Sequence, residues 1–153
     1  MNQKVIDLLN KARSAELGAI NQYMIHHYEL EDKDFGKLAL KIKDIAIAEM
    51  KHAEKLAERI LFLKGEPTSK PDATPRKGQE ILKMLATDMA LEAQAVKMYN
   101  EAAVLCASER DQKSKDLFEE LLSDEEKHLN FFGNIKNHVE NLGEAYLAAL
   151  TGK

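Results

Sequence analysis

Two glutamate–histidine pairs occupy positions where a helical chain would normally bury leucine and isoleucine. Stepping by threes and fours, one segment reads Phe35, Leu38, Ile42, Ile45, Glu49, His52, Leu56, Arg59 or Ile60, and Leu63. A later one reads Phe118, Leu121, Glu125, His128, Phe132, Ile135 and Val139. Residues three apart on an α-helix share a face, so each glutamate and its histidine point toward one spot. A solvated face would fall out of register with the apolar residues, and these pairs do not. Buried carboxylates without partners each cost several kcal/mol, so the pattern calls for something cationic inside the fold.

The other two long periodic segments each add one carboxylate. Residues 3–33 carry a seam of Val5, Leu9, Ala12, Glu16, Ala19, Tyr23, His26 and Leu30, and residues 78–107 one of Ile81, Leu85, Asp88, Glu92, Ala95, Tyr99 and Ala102. Glu16 precedes Glu49 by 49 − 16 = 33 residues, and Glu92 precedes Glu125 by 125 − 92 = 33, so the two halves repeat one layout. Tyr23 and Tyr99 each follow a seam glutamate by seven residues, which puts each tyrosine on that glutamate's face within reach of the site. Four glutamates balance two divalent ions, and two neutral imidazoles complete a nitrogen and oxygen donor set suited to iron or manganese. Redox chemistry favours iron. His26, His27 and His138 are expected at the surface or at helix edges, and Asp88 facing solvent or a neighbour.

The pattern describes an all-α chain in a single domain spanning 1–153, with helices over about 3–33, 35–64, 78–107, 112–141 and 144–150. Asp34 is expected to cap the second helix. Residues 65–77 hold all three prolines and form a loop. Its thirteen residues, fully extended, span roughly 43 Å, about the length of a 29-residue helix, so the second and third helices can run parallel across a long crossover. The last amphipathic piece, with Tyr146, Leu147 and Leu150, is too short to stand alone and should dock on another surface.

Composition narrows the function. A net charge of −4 offers no electrostatic basis for nucleic acid or an anionic membrane. No stretch approaches the roughly 20 apolar residues of a membrane helix. Lys4, Asp7, Lys11, Arg13 and Glu16 interrupt any signal-peptide core in residues 1–18. Cys106 is the only cysteine, which excludes an intramolecular disulfide or a cysteine-based cluster within one chain. A cytoplasmic protein is the expectation.

Over nearly the whole chain these residues resemble the bacterioferritins. The resemblance rests on Ala15-Glu16-Leu17 and Ala19-Ile20-Asn21-Gln22-Tyr23, on Glu49-Met50-Lys51-His52-Ala53 and Arg59-Ile60-Leu61-Phe62-Leu63, on Met89-Ala90-Leu91-Glu92, and on Asp124-Glu125-Glu126-Lys127-His128. It implies a ferritin-like four-helix bundle with a short fifth helix near a four-fold axis. It further implies a ferroxidase centre with Glu16 and Glu92 as terminal ligands, Glu49 and Glu125 as bridges, and His52 and His128 as nitrogen ligands. Such a centre oxidises Fe(II) with dioxygen or hydrogen peroxide, and the ferric mineral is stored in a 24-subunit shell built from dimers. Met50, with its counterpart in a second copy, is the implied haem ligand. A separate electron-donor protein would serve iron release. Ile45 and Ala48 flank the region where some relatives carry donors for an accessory inner-surface iron site and Asp44 is its main polar candidate, so no such site is expected; with no tryptophan in the chain, Tyr23 or Tyr99 is left as the internal electron donor.

Two other readings share the layout. A rubrerythrin-like peroxide reductase would add a carboxylate where this chain has Ala95, and its usual four-cysteine module cannot form from Cys106 alone. A non-catalytic haem or iron binder would hold metal without consuming oxygen.

Overall fold

The computed structural model describes residues 2–153. Helix α1 spans Gln3–Asp32, α2 Gly36–Phe62, α3 Ile81–Ser108, α4 Gln112–Leu142 and α5 Glu144–Ala149, with no strand among the described residues. α1 and α2 pair as a helical hairpin, as do α3 and α4, and the hairpins close into a four-helix bundle through α1 on α3 and α2 on α4. Tyr23 meets Glu92 while Tyr99 meets Glu16, so α1 and α3 run antiparallel. α2 and α3 are therefore parallel, and residues 63–80 must carry the chain back along the full bundle.

Hydrogen bonds fasten this crossover along α1. The Asn10 side chain donates to Glu66 O at 2.9 Å and accepts from Thr68 N at 2.8 Å, Arg13 Nε donates to Thr68 O at 2.8 Å, and Ser14 Oγ donates to Lys70 O at 2.6 Å. Farther along, the Gln22 amide both donates to Arg76 O and accepts from Arg76 N. Polar residues on one stripe of α1 thus replace the solvent that an 18-residue irregular backbone would otherwise need (80 − 63 + 1 = 18).

The apolar core has two parts. One cluster gathers Val5, Leu9, Leu56, Ile60, Phe118 and Leu121 at one end of the bundle, and the other gathers Leu30, Leu38, Ile42, Leu85, Phe132 and Ile135 at the opposite end. Glu16, Glu49, Glu92 and Glu125 fall between these groups on all four helices, so a layer of buried charge crosses a core that is apolar above and below it.

Helix ends differ from expectation in two places. Asp34 does not cap α2; it ends α1. It sits at φ 66, with Asp34 N bonded to Glu31 O and Phe35 N bonded to Leu30 O, the paired closure of a Schellman motif. Lys64 at φ 69 and Arg110 at φ 60 end α2 and α3 the same way. α3 begins at Ile81, later than the periodicity suggests, because Gly78 turns through φ 71 to donate to Glu29 Oε2, and the Gln79 side chain is drawn to His26 and Thr87.

The short α5 docks on its own chain. Leu150 is buried, Lys37 N donates to Leu150 O at 3.2 Å and Gly152 N to Asp34 O at 2.9 Å, while Tyr146 stacks on His138 with ring centroids 5.0 Å apart. A Cβ at Gly36 would stand 2.0 Å from Gly152 O, so the α1–α2 turn needs glycine there to receive the C-terminal segment.

A side chain in the left-handed region costs roughly 1–2 kcal/mol that glycine avoids, partly offset by glycine's greater freedom when unfolded. Arg110 is exposed, so Arg110→Gly should raise unfolding stability by about 0.5–1 kcal/mol in urea titrations. A loss of that size would mean that the arginine side chain contributes more than its backbone geometry costs.

Candidate metal centre

The layer between the two apolar clusters is where the helical register brings the acidic and imidazole side chains together. Glu16, Glu49, His52, Glu92 and Glu125 are buried, and His128 is nearly so. Ligand atoms from Glu16, Glu49, His52 and Glu125 all lie within 4.8 Å of one another, and the same holds for Glu49, Glu92, Glu125 and His128. Glu49 and Glu125 belong to both groups, so the six side chains form two adjoining pockets with a shared wall of two carboxylates.

Both imidazoles turn Nδ1 inward. His52 Nδ1 is 2.8 Å from Glu16 Oε2, 3.2 Å from Glu49 Oε1 and 3.3 Å from Glu125 Oε1. His128 Nδ1 is 3.4 Å from Glu49 Oε1, 3.5 Å from Glu92 Oε1 and 3.3 Å from Glu125 Oε1. The rings lie nearly parallel, with centroids 6.3 Å apart. On its outer side His52 Nε2 is bonded to Asp124 Oδ2 at 2.8 Å, which fixes the ring and keeps its inward nitrogen available as a donor to a cation.

The outer glutamates are braced crosswise. Tyr23 donates to Glu92 Oε1 at 2.5 Å and Tyr99 to Glu16 Oε1 at 2.8 Å, so each tyrosine holds the glutamate of the other hairpin. Both tyrosines are fully buried. The shared glutamates have no such brace. Both carboxylate oxygens of Glu49 and of Glu125, together with Glu92 Oε2 and His128 Nδ1, are buried without a hydrogen-bond partner. Native cores rarely tolerate that many orphaned groups in one place. Two cations held by carboxylate oxygens and imidazole nitrogens would satisfy them all, so the donor set fits a pair of first-row metal ions.

Without metal, the same crowding shifts the site's protonation. Burial first, then the Glu125 charge, raises Glu16 to about 7 despite the opposing pull of His52 and Tyr99. Burial likewise lifts Glu92 to about 7 against the opposing pull of His128. Glu49 and Glu125 are also raised, by burial before all else. Burial pulls His128 down, but the surrounding Glu125, Glu49 and Glu92 outweigh it and hold the ring up to about 12; His52 is shifted upward in the same way. The metal-free layer is therefore a store of protons.

Two histidines depart from the surface positions expected of them. His26 is fully buried, its Nδ1 lying 2.8 and 2.9 Å from the two oxygens of Asp88 and its Nε2 2.9 Å from Gln79 Oε1. His27 is buried too, with Nδ1 2.7 Å from Ala39 O and Nε2 3.0 Å from Glu31 Oε2. The signal for His26 and Asp88 lay in the seam: both fall on apolar-register positions of helices that pack antiparallel, one turn beyond Tyr23 and Glu92. His138 is exposed. Asp124 left no signal in the periodicity, since it stands outside the buried seam. Met50 lies outside the layer on α2 and is 42% exposed.

The family model of the ferritin-like domain matches residues 6–142. The chain is 43% identical over 149 residues to a bacterioferritin from Desulfovibrio desulfuricans, covering 97% of this chain and 83% of that protein. The chain belongs to the bacterioferritin family. A relative from Brucella melitensis, also a bacterioferritin, is 40% identical over 92% of this chain and 88% of its own length. An X-ray structure of the D. desulfuricans bacterioferritin, which describes its diiron site in different catalytic states, matches with a TM-score of 0.96 at 43% identity, over 98% of this chain and 88% of that one.

The proton store has a thermodynamic consequence in the metal-free protein. Glu16 and Glu92 keep protons up to about pH 7 when folded but lose them near 4.5 when unfolded, and His128 stays charged when folded long after its unfolded value of 6.5. The folded chain therefore binds more protons than the unfolded chain above pH 4.5, and its stability falls as pH rises through this range. Metal-free protein should unfold at a lower urea concentration at pH 8 than at pH 6. The opposite order would mean that the carboxylates ionise freely in the empty layer.

Proposed function

We propose that this protein is an iron-storing ferroxidase that takes up two Fe(II) ions per chain in the buried layer and oxidises them. The observation that carries this reading is the pair of carboxylates, Glu49 and Glu125, common to both four-residue groups and orphaned at all four oxygens. In this reading Glu49 and Glu125 bridge the two ions, Glu16 with His52 completes one position, and Glu92 with His128 completes the other. Fe(II) is the substrate: two ions give up one electron each, and the pair of electrons, with two protons, reduces dioxygen to hydrogen peroxide or hydrogen peroxide to two waters.

The chain's own residues prepare that step. Uptake of two dications displaces the protons held by the glutamates and histidines, so loading becomes more favourable as pH rises. Asp124 keeps His52 oriented with Nδ1 inward. Tyr23 and Tyr99, both enclosed by the core, hold the outer glutamates Glu92 and Glu16 in position. The apolar clusters above and below limit water in the layer, strengthening every charge interaction there.

Storage requires a shell, and the surface of α2 supports self-association. Leu40, Ile47, Met50 and Leu61 follow one another at steps of seven, three and eleven residues, all compatible with one helical face, and are all substantially exposed, forming an apolar stripe off the buried seam. In this reading the stripe joins two copies in a 24-subunit shell, and the thioether of the half-exposed Met50 from each copy would hold a haem. α5 packs near the four-fold axes of that shell. The chain forms one ferritin-like domain from end to end, acts in the cytoplasm, and receives electrons for iron release from a separate donor protein.

Anaerobic protein loaded with two Fe(II) per chain should oxidise them rapidly and saturably on exposure to air, and Glu92→Gln should lose that fast phase while remaining folded. Oxidation no faster than in buffer would refute the ferroxidase. Native mass should be about 415 kDa, from 24 chains of 17.3 kDa, and a stable dimer would remove the shell. Met50→Ala should lose the haem spectrum, and retention of the same spectrum and stoichiometry would remove Met50 as its ligand.

A further inference from the structure

Between α1, the crossover and α3 lies a cavity of about 240 Å³, bordered by Gln22, Asp72, Arg76, Thr87 and Gln94. Deeper in, a space of about 20 Å³ is bordered by small side chains, Ala15 and Ala19, and by Glu16, Glu49 and Glu125. Asp72, Leu91 and Gln94 line both, so they form a neck between the surface and the carboxylate layer. Asp72 and Gln94 are themselves exposed, and the inner end of the path finishes at the unpartnered oxygens of Glu49 and Glu125.

The placement of Asp72 is built into the fold. Its backbone N donates to Ser14 O at 3.1 Å, between the bonds that tie Lys70 to Ser14 and Arg76 to Gln22. Its carboxylate rests over Gly18, where a Cβ would stand 2.1 Å from Oδ1, so any larger residue would push it away from the neck. Arg76 borders the outer cavity and not the deeper one, leaving the neck itself with a carboxylate and an amide. The opposite side of the layer is different. There a cavity of about 350 Å³ next to His128 is bordered by Lys41 as well as Asp44, and it shares no residue with the space beside Glu16, Glu49 and Glu125.

We propose that Asp72, with Gln94 beside it, is an outer capture site for a divalent metal ion, which then crosses the neck to Glu16, Glu49 and Glu125. The proposal rests on the reading of the buried layer as a metal centre. Carboxylate and amide oxygens suit a hydrated dication, whereas an apolar gas would need neither. The outer cavity pairs Asp72 with Arg76, but the charged side chains bordering the deeper space, Glu16, Glu49, Asp72 and Glu125, are all acidic. Lining of one charge sign raises the local concentration of an oppositely charged ligand and its rate of arrival, and the effect is weakened by salt.

The test is stopped-flow mixing of the intact metal-free protein with Co(II) in the absence of oxygen, following the ligand-field absorbance. Asp72→Asn should slow loading by about tenfold, and raised salt should slow the unmodified protein toward the same rate. Gly18→Ala should also slow it by displacing the carboxylate. In each case the final two ions per chain should be retained, since neither residue belongs to the six-residue layer. Asp44→Asn should load at the unmodified rate. Loading of Asp72→Asn at the unmodified rate, or slowing by Asp44→Asn instead, would overturn the proposal. Glu92→Gln distinguishes the two failures: it should bind less Co(II) at equilibrium, and unchanged binding would overturn the metal centre itself together with its access route.

Discussion

Four carboxylates buried in the middle of an apolar bundle are the constraint on which the rest of this structure depends. Each would cost several kcal/mol if left ionised and unpaired in a dry core. The fold meets that cost in three ways: two imidazoles lie between the carboxylates, two tyrosines hydrogen-bond the outer pair, and without metal several groups keep protons that would leave them in water. The imidazoles stand 3.2–3.4 Å from one oxygen each of Glu49 and Glu125 without hydrogen-bonding them, and the four oxygens of this pair remain without a hydrogen-bond partner. The stability given up there is the capacity to bind metal, an instance of local frustration concentrated at a functional site.

The architecture follows from repeating that charge twice. Each hairpin brings one glutamate and one Glu-x-x-His pair, and the two must face each other at the same height. Antiparallel packing of α1 on α3 achieves this and leaves α2 parallel to α3, which requires a long crossover. That crossover is more than a connector: Asn10, Arg13, Ser14 and Gln22 hold it along α1, and this fastening places Asp72 over Gly18 at the neck of the space that reaches Glu16, Glu49 and Glu125.

The bundle and the six central residues were legible because helical periodicity reports directly on burial. Glu49, His52, Glu125 and His128 fall on seam positions, and the 33-residue spacing fixes their relation to Glu16 and Glu92. What periodicity does not carry is contact between helices distant in sequence. It put Tyr23 and Tyr99 on the correct faces but could not show that each braces the glutamate of the other hairpin, a consequence of antiparallel register. His26 and Asp88 also lay in the seam, yet only their packing against each other explains why a histidine outside the central layer is buried. Asp124 and Asp72 were not legible at all: one lies beside a seam and the other in a loop, and each gains its meaning from a neighbour more than 50 residues away. Asp34 was assigned to the wrong helix end because a left-handed closing residue and an N-cap draw on the same short polar side chains.

The central claim is that the buried layer holds two metal ions between Glu49 and Glu125. Anomalous diffraction at the iron edge, from crystals loaded with Fe(II) under anaerobic conditions, tests it most directly. Two peaks per chain should lie between these carboxylates, one beside His52 Nδ1 and Glu16 and the other beside His128 Nδ1 and Glu92. A single peak, or iron found only at surface carboxylates with the layer empty, would contradict it.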